Sequence, residues 1–561
     1  MKSYIKNVLI AGMAAAGMAS CTDLDTEIVG NYIELPDDPI VVSSEFEGCY
    51  HYTRNEAWFG RNFWEGVFLA GDEALGINWN GSYEDNGRYR DGAIHRFRPD
   101  LQGVGLMGDM LSGVTYTNGR IKLFGGMDGK DPMVAPLRAI RAYYTFWMME
   151  LYGDVPILER NLEADEVAER KPRAEVARWI EQELLEAIPH LTETNDVTTY
   201  GRPNKWMAEA LLVKLYLNWG VYTNPITTVD GSTPNPKLNE CIKWCDEIIN
   251  SGLFEVGDGY RKKFFPDNGV HIRDFIYAVD FDPEKYGNGT WKYAGGHELN
   301  RFWDFKKYNL LEPCIWNWTP KNSVAGVYIL TPEAVSRFNL PGDERNEMVA
   351  TADFPGYDLD FKLRTEPIKV FTDARHRRPY VNADGNSNLT YIVDGFEWAN
   401  LSLLDVGPED NVANHLKGAR LFKYPVRQED DLLWERKQSN DIPVFRFADI
   451  LLTKAECILR GGTPTLGHTA ASLMNTVRDC AHAPHVEGTP SLDDLLDERG
   501  REFIEEPWRR NDLIRFGKFE NCSAWKVAAN PTGMNDKNMR LMPIPTGEMN
   551  TNTNWTQNPG Y

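Results

Sequence analysis

The stretch "APLRAIRAYYTFWMMELYGDVP", residues 135–156, decides how the chain is read. Leu137, Ile140, Tyr144, Trp147, Met148 and Leu151 recur at steps of three and four, the spacing that lines one face of a helix with 3.6 residues per turn. Pro136 stands at the start, where its missing N–H costs nothing. Gly153 stands just past the end, where a left-handed residue closes a helix, and Pro156 forces an extended exit. The stretch predicts a strong helix.

Three further stretches follow the same logic: "AEVARWIEQELLEAIP", then "RPNKWMAEALLVKLYLNWG" with Pro203 in its first turn, then "LNECIKWCDEIINSG" ending at Gly252. Their starts, near residues 136, 174, 203 and 238, lie 38, 29 and 35 apart. That is close to the roughly 34-residue period of helix-turn-helix repeats. No repeated sequence signature accompanies it, so the repeat is one of geometry. A second helical group is expected in "IPVFRFADILLTKAECILRGG", "AASLMNTVRDCA" and "LDDLLDERGREFIEEPWRRNDLIRFGKF". Between the groups, from about residue 257 to 440, the chain is rich in Gly, Pro, Asn, Asp and aromatics, with short strand-like pieces such as "RDFIYAVDF". Irregular loops gather there, and loops are where binding groups usually sit. No Gly/Ser-rich or Pro-rich linker divides the chain. One large domain over residues 41–561 is expected, with the helical scaffold drawn from about 41–256 and 441–530 and the loop-rich part from about 257–440.

The chain begins as an export signal. Lys2 and Lys6 precede an apolar run from Val8 to Met18, and the small residues Ala19 and Ser20 lead into Cys21. A spanning helix needs roughly 18 or more apolar residues, so this segment is read as removed. Small residues running directly into a cysteine are the bacterial lipoprotein pattern. Residues 1–20 are the signal, Cys21 the lipidated residue and 21–40 a tether, with Met18 in place of the usual Leu. No other long apolar run follows, so the lipid is the only expected membrane contact.

The formal charge is −22, and the first twenty residues carry two lysines and no acid, so the chain from Cys21 onward carries −24. Nucleic acid and anionic lipid surfaces are therefore excluded as expected partners, and neutral ligands remain. Seven cysteines besides Cys21 make no disulfide framework, and Cys241 and Cys245, four apart on a helix, read as small core residues. His482 and His485 in "HAPH" have no further ligand cluster near them in sequence, so neither a metal nor a cofactor is expected.

"LRAIRAYYTFWMMELYGDVPIL", "GRPNKWMAEALLVKLYLNWG", "IPVFRFADILLTKAECILRGG" and "ERGREFIEEPWRRNDLIRFGKF", followed by the terminal "LMPIPTGEMNTNTNWTQNPGY", together resemble the SusD/RagB family of outer-membrane nutrient-binding lipoproteins over nearly the whole chain after the signal. The resemblance implies a mainly α fold, in which four helix pairs of tetratricopeptide type form a scaffold and a loop-rich, mixed part carries the ligand site. It also implies a binder with no catalysis, which captures oligo- or polysaccharide and hands it to a SusC-type TonB-dependent transporter. The acids of "TDLDTE" behind Cys21 are similar to the surface-export signal of Bacteroidetes lipoproteins, which suits a protein lipid-anchored in the outer membrane and facing outward.

Within the family motif, Glu498, Arg499, Arg501, Glu502, Glu505, Glu506, Arg509, Arg510 and Asp512 alternate in sign at three- and four-residue spacing. They read as helix-face ion pairs whose arginines hold the carboxylates ionised, not as an acid/base set. The closing "QNPGY" is a turn whose Tyr561 is expected to dock on the body.

A sugar offers an apolar C–H face and a rim of hydroxyls, so its binders combine flat aromatic surfaces with carboxylate, amide or guanidinium groups. Trp147, Trp179, Trp206, Trp219 and Trp244 lie on the scaffold helices and read as packing. Two other regions are poor core material. "LAGDEALGINWNGSYEDNGRY" sets Trp79 between Asn78 and Asn80 in a glycine-bounded loop, with Asp72, Glu73 and Tyr83 close by. "HELNRFWDFKKYNLLEPCIWNWTPKN" gathers Trp303, Trp316 and Trp318 with Arg301, Asp304 and Asn317. The candidate ligand-binding residues are Trp79, Asn80, Asp72, Tyr83, Trp303, Trp316, Trp318 and Arg301. In the starch-binding prototype of the family an arc of aromatics comes from these same two parts of the chain. Asp72 and Glu73 are also the best pair for an alternative reading as a glycoside hydrolase, which needs two carboxylates across the scissile bond. A surface lipoprotein that binds peptides or other proteins is the third reading.

Overall fold

A computed structural model of the protein describes residues 39–53, 61–76, 88–125, 133–281, 328–350, 365, 377–381, 387–391, 419–425 and 439–561. The chain divides into two compact units, residues 1–47 and 48–561. Of the first, the described part is the start of a helix, Pro39–His51. The second holds the remaining elements and is dominated by helices, in keeping with the mainly α class.

Five helices follow one another: α1 (Leu106–Phe124), α2 (Ala135–Tyr152), α3 (Arg173–Ala187), α4 (Lys205–Leu217) and α5 (Leu238–Asn250). A short α6 (Pro332–Ser336) is followed by α7 (Phe447–Leu459), α8 (Ala470–Cys480), α9 (Leu492–Glu502) and α10 (Arg509–Arg515). α1 packs on α2, α2 on α3 and α4 on α5, while α7 meets α5 as well as α8 and α9. The two helical groups thus interlock, as an undivided chain requires. The strands form two-stranded antiparallel ladders, β1 (Ala74–Gly76) with β3 (Tyr328–Leu330) and β2 (Phe275–Val279) with β4 (Ile442–Arg446), beside a hairpin at 377–391 and two ladders of two residues a side.

α2 ends as its sequence predicts, with Gly153 at φ +79°. Its surroundings differ from the prediction. In place of one buried stripe, every residue of α2 but Pro136 is buried, because α1, α3 and the β2–β4 ladder enclose it. Trp147 stacks on Trp508 with centroids 4.9 Å apart, and Phe445 stacks on the far face of the cluster at 5.6 Å from Trp508. Even the polar residues of α2 are consumed inside: Arg141 Nε donates to Glu183 at 3.1 Å, and Glu150 accepts from Tyr222 at 2.8 Å and Asn511 at 3.0 Å. Trp206 and Trp219 are buried as read, whereas Trp179 and Trp244 are half-buried, Trp179 donating to Glu159 at 2.8 Å.

Three local expectations are corrected. Pro203 precedes the cap of α4 and is not in its first turn: Asn204 is the cap, its side chain accepting from Met207 N–H at 2.9 Å. "IPVFR" is not helical but forms β4, where β-branched and aromatic residues pair with the expected strand "FIYAV". The long helix expected over 492–519 is two, parted at 503–508, where Pro507 denies the backbone a donor and Glu505 takes φ +57°.

The charged run on α9 and α10 is also corrected. Its residues do not pair along an exposed face. Within this run the pairs at three-residue spacing among the described residues are Arg501–Glu498 and Arg515–Asp512; the other pairs reach across the fold. Arg446, fully buried, holds Asp274 at 2.6 Å, Glu502 at 2.7 Å and Glu506 at 2.9 Å. Arg499 holds Asp449 and Asp512, and Arg345 holds Asp343, Glu498 and Glu502. Burial opposes charge on Glu498 and Glu456, but their arginines more than offset it and hold both at about 2. Spacing says which residues share a face; it does not say whether that face meets water.

Cys241 and Cys245 are buried free thiols, as expected of core residues. Tyr561 docks its hydroxyl on the Leu541 carbonyl at 2.7 Å.

Candidate functional site

The described residues bring the two candidate regions together at their roots. β1 runs Ala74–Leu75–Gly76 and β3 runs Tyr328–Ile329–Leu330, paired Ala74↔Leu330, Leu75↔Ile329 and Gly76↔Tyr328. The segment bearing Trp79, Asn80 and Tyr83 therefore departs from Gly76. The segment bearing Arg301, Trp303, Trp316 and Trp318 arrives at Tyr328, directly across the ladder from Gly76. Those seven side chains, like Cys21, lie outside the described residues. Their two stems enter and leave one ladder end.

The stem is built firmly. Gly76 is required because Tyr89 crosses so close that a Cβ would overlap its carbonyl oxygen. The Tyr328 ring meets Tyr89 edge-on at 6.1 Å and Phe68 at 6.1 Å. Thr331, next after β3, donates its amide to the Glu73 carbonyl at 3.0 Å and its hydroxyl to the Asp72 carbonyl, while its Oγ1 caps α6 by accepting from Ala334 at 3.1 Å. On the other flank Leu330 N–H bonds the Ala419 carbonyl at 3.0 Å.

Asp72 is the one predicted ligand residue among the described ones, and it is only 4% exposed. Arg509 grips it through Nε and Nη2, both at 2.7 Å, and Arg337 adds a second guanidinium. Burial would raise its carboxyl, but the two arginines hold it at about 2. Asp72 thus ties the stem to α10 and to the end of α6, with its charge already spent. Glu73 is fully buried, and neither carboxylate oxygen has a hydrogen-bond partner among the described residues. Burial pushes it up to about 8 against the pull of Arg509. Both side chains are sealed in the interior, Asp72 in the grip of two arginines, so neither is presented to a glycosidic bond.

A concavity of about 670 Å³ lies elsewhere, within residues 255–274, lined by Lys262, Phe265, His271 and Arg273 over the buried Lys263–Asp274 pair. It contains no residue singled out by the sequence, because its signal is a fold of loop, not a pattern. His482 bonds Asp258 at 2.8 Å and Glu344 at 3.0 Å, and His485 bonds Asp479 at 2.6 Å. Among the described residues no group of three or more His, Cys, Asp or Glu could hold a metal ion.

This mainly helical fold is matched among solved structures. Surface glycan-binding protein A from Bacteroides thetaiotaomicron, solved with laminarihexaose, superposes with a TM-score of 0.64 at 19% identity, over 93% of this chain and 99% of that one. A SusD superfamily protein from Parabacteroides distasonis also gives 0.64, at 18% identity over 93% of this chain and 98% of that one. Residues 317–561 match the SusD family model. The starch-binding protein SusD of Bacteroides thetaiotaomicron is 26% identical over 443 residues, 76% of this chain and 72% of that protein. A SusD-like protein of Bacteroides ovatus is 26% identical over 536 residues, 92% of this chain and 84% of that protein. Residues 317–561 thus resemble the SusD family, and the chain as a whole is similar to SusD-like proteins.

Proposed function

We propose that this protein is a cell-surface glycan-binding lipoprotein, acylated at Cys21, which captures oligo- or polysaccharide and delivers it to a SusC-type TonB-dependent transporter in the outer membrane. The observation that carries the reading is the β1–β3 ladder, which roots the Trp79 segment and the Trp303–Trp318 segment side by side. Relatives named for starch binding and for laminarihexaose binding support a glycan as the ligand. Trp79, Asn80, Tyr83, Arg301, Trp303, Trp316 and Trp318 supply the indole faces and polar groups, and Asp72 acts beneath them as an anchor. Among the described residues no helix is long and apolar enough to cross a membrane.

Binding without chemistry is supported by the fate of Asp72 and Glu73. The decisive experiment incubates purified protein with starch, laminarin and other neutral polysaccharides and follows both retention on affinity gels and the release of reducing ends. Retention with no new reducing ends is expected; steady sugar release overturns the binder reading, and binding of peptides alone overturns the glycan. Cys21→Ala is expected to abolish palmitate labelling and to move the protein into the soluble fraction.

A further inference from the structure

Glu73 is the acid that the proposed function leaves unused. It is completely enclosed, neither of its oxygens is hydrogen-bonded among the described residues, and its backbone carbonyl is part of the stem through Thr331. Every element around it brings charge. Asp72 precedes it. Arg509 on α10 and Arg337 beyond α6 face it but are committed to Asp72, Lys526 is committed to the Leu69 and Gly71 carbonyls, and Lys423 to Glu506 and the Ile504 carbonyl. Within electrostatic reach is Glu505, 2% exposed and held at φ +57°, a conformation that costs a non-glycine residue energy. A lone carboxylate so enclosed would carry the full cost of a buried unpaired charge, and taking up a proton removes it.

We propose that Glu73 serves as a neutral positioning group: protonated and sealed in the interior, it keeps the root of the β1–β3 ladder closed, and its ionisation loosens the stem from which both proposed ligand-binding segments depart. Burial raises Glu505 in the same sense, with the charge on Glu73 adding to it. The sign follows from linkage. A carboxyl raised from 4.5 to about 8 in the folded protein contributes stability that is complete below the lower value and is lost as the pH rises through the higher one.

The test is hydrogen exchange of the peptides covering 74–76 and 328–330, corrected for the intrinsic pH dependence of exchange. Protection in the wild type is expected to fall on the order of 10- to 100-fold between about pH 6 and about pH 9, and to stay level in Glu73→Gln, whose amide mimics the protonated acid. A parallel fall in both proteins, or no fall in the wild type, overturns the proposal. The wild type supplies a second check: its infrared spectrum should show a protonated-carboxyl stretch at neutral pH that fades by about pH 9, and absence of that band at neutral pH overturns the proposal equally. The link to capture rests on the proposed function. With soluble laminarin and starch as probes, affinity should weaken in the same window in the wild type alone. A protein that binds neither probe at any pH refutes the glycan reading, while exchange still decides the role of Glu73.

Discussion

Around Arg446 every carboxylate is ion-paired; at the root of the β1–β3 ladder, one of two adjacent acids makes no ion pair among the described residues. Asp274, Glu502 and Glu506 converge on Arg446, with Lys263 and Lys423 behind them, in an interior where each charge is paired. Asp72 joins that kind of interior through Arg337 and Arg509. Glu73, one residue on, is left out of it. The difference teaches that burial alone does not fix what a carboxyl does. Saturated by guanidinium groups it becomes a fastener; unpaired in the same interior, its charge is opposed by burial.

The comparison breaks most violently if a central cation is removed. Arg446→Ala leaves three acids buried around an empty place, and removing one partner of a buried pair already costs ~3–5 kcal/mol. The expected outcome is loss of the soluble folded protein, read by circular dichroism and urea unfolding. A normal unfolding midpoint would show that the pairs contribute little. Next in size, Trp147→Ala opens a cavity between Phe63 and Trp508 and should cost ~3–5 kcal/mol in the same assay. Polysaccharide binding by this variant should be lost only where it unfolds.

Acid sharpens the contrast. Asp72, Glu456 and Glu498, each held at about 2, contribute stability that is present above about pH 4.5 and is lost as the pH falls toward 2. Each is expected to contribute up to about 3 kcal/mol. The melting temperature should therefore fall on the acid side through the fasteners and on the alkaline side through Glu73. A flat profile between about pH 2 and 5 would contradict the saturated half of the comparison. The smallest effects on stability are expected at Trp79→Ala and Trp316→Ala, within about 0.5 kcal/mol by thermal melt. Calorimetric titration with a bound glycan should show affinity weakened about threefold to tenfold, the loss of an aromatic contact. Early melting with normal binding would make both tryptophans packing residues.

Much of the scaffold was legible in the chain because helices declare themselves locally. Pro136 and Gly153 bound α2 in the sequence as they do in the fold, and the Cys241–Cys245 spacing marks a buried face of α5. What was not legible depends on partners distant in sequence. Nothing in "ERGREFIEEPWRR" distinguishes a wet face from a dry one, and the dry one is defined by Arg345, Arg446 and Asp449, supplied from elsewhere. "IPVFR" carries apolar residues that suit a helix or a strand until Phe275–Val279 arrives beside it. At the candidate site, the aromatic segments stood out by composition, but their common root did not, since Gly76 and Tyr328 find each other only in three dimensions. Asp72 and Glu73 were the best pair for the alternative hydrolase reading only by adjacency, and sequence conceals which neighbours each side chain meets.

The clasp of Asp72 by Arg509 joins residues 437 positions apart. Such a closure can form only after nearly all of the chain is available, and contacts of that separation are slow to form. The stem at β1 and β3 is therefore completed late, when α10 arrives to neutralise Asp72. Until then the acid stays wet and the two aromatic segments have no shared base, so a chain cut short before Arg509 would lack the fastener that licenses the stem. The clasp works as a proof of completeness: the stem is fastened only in molecules whose far end has folded.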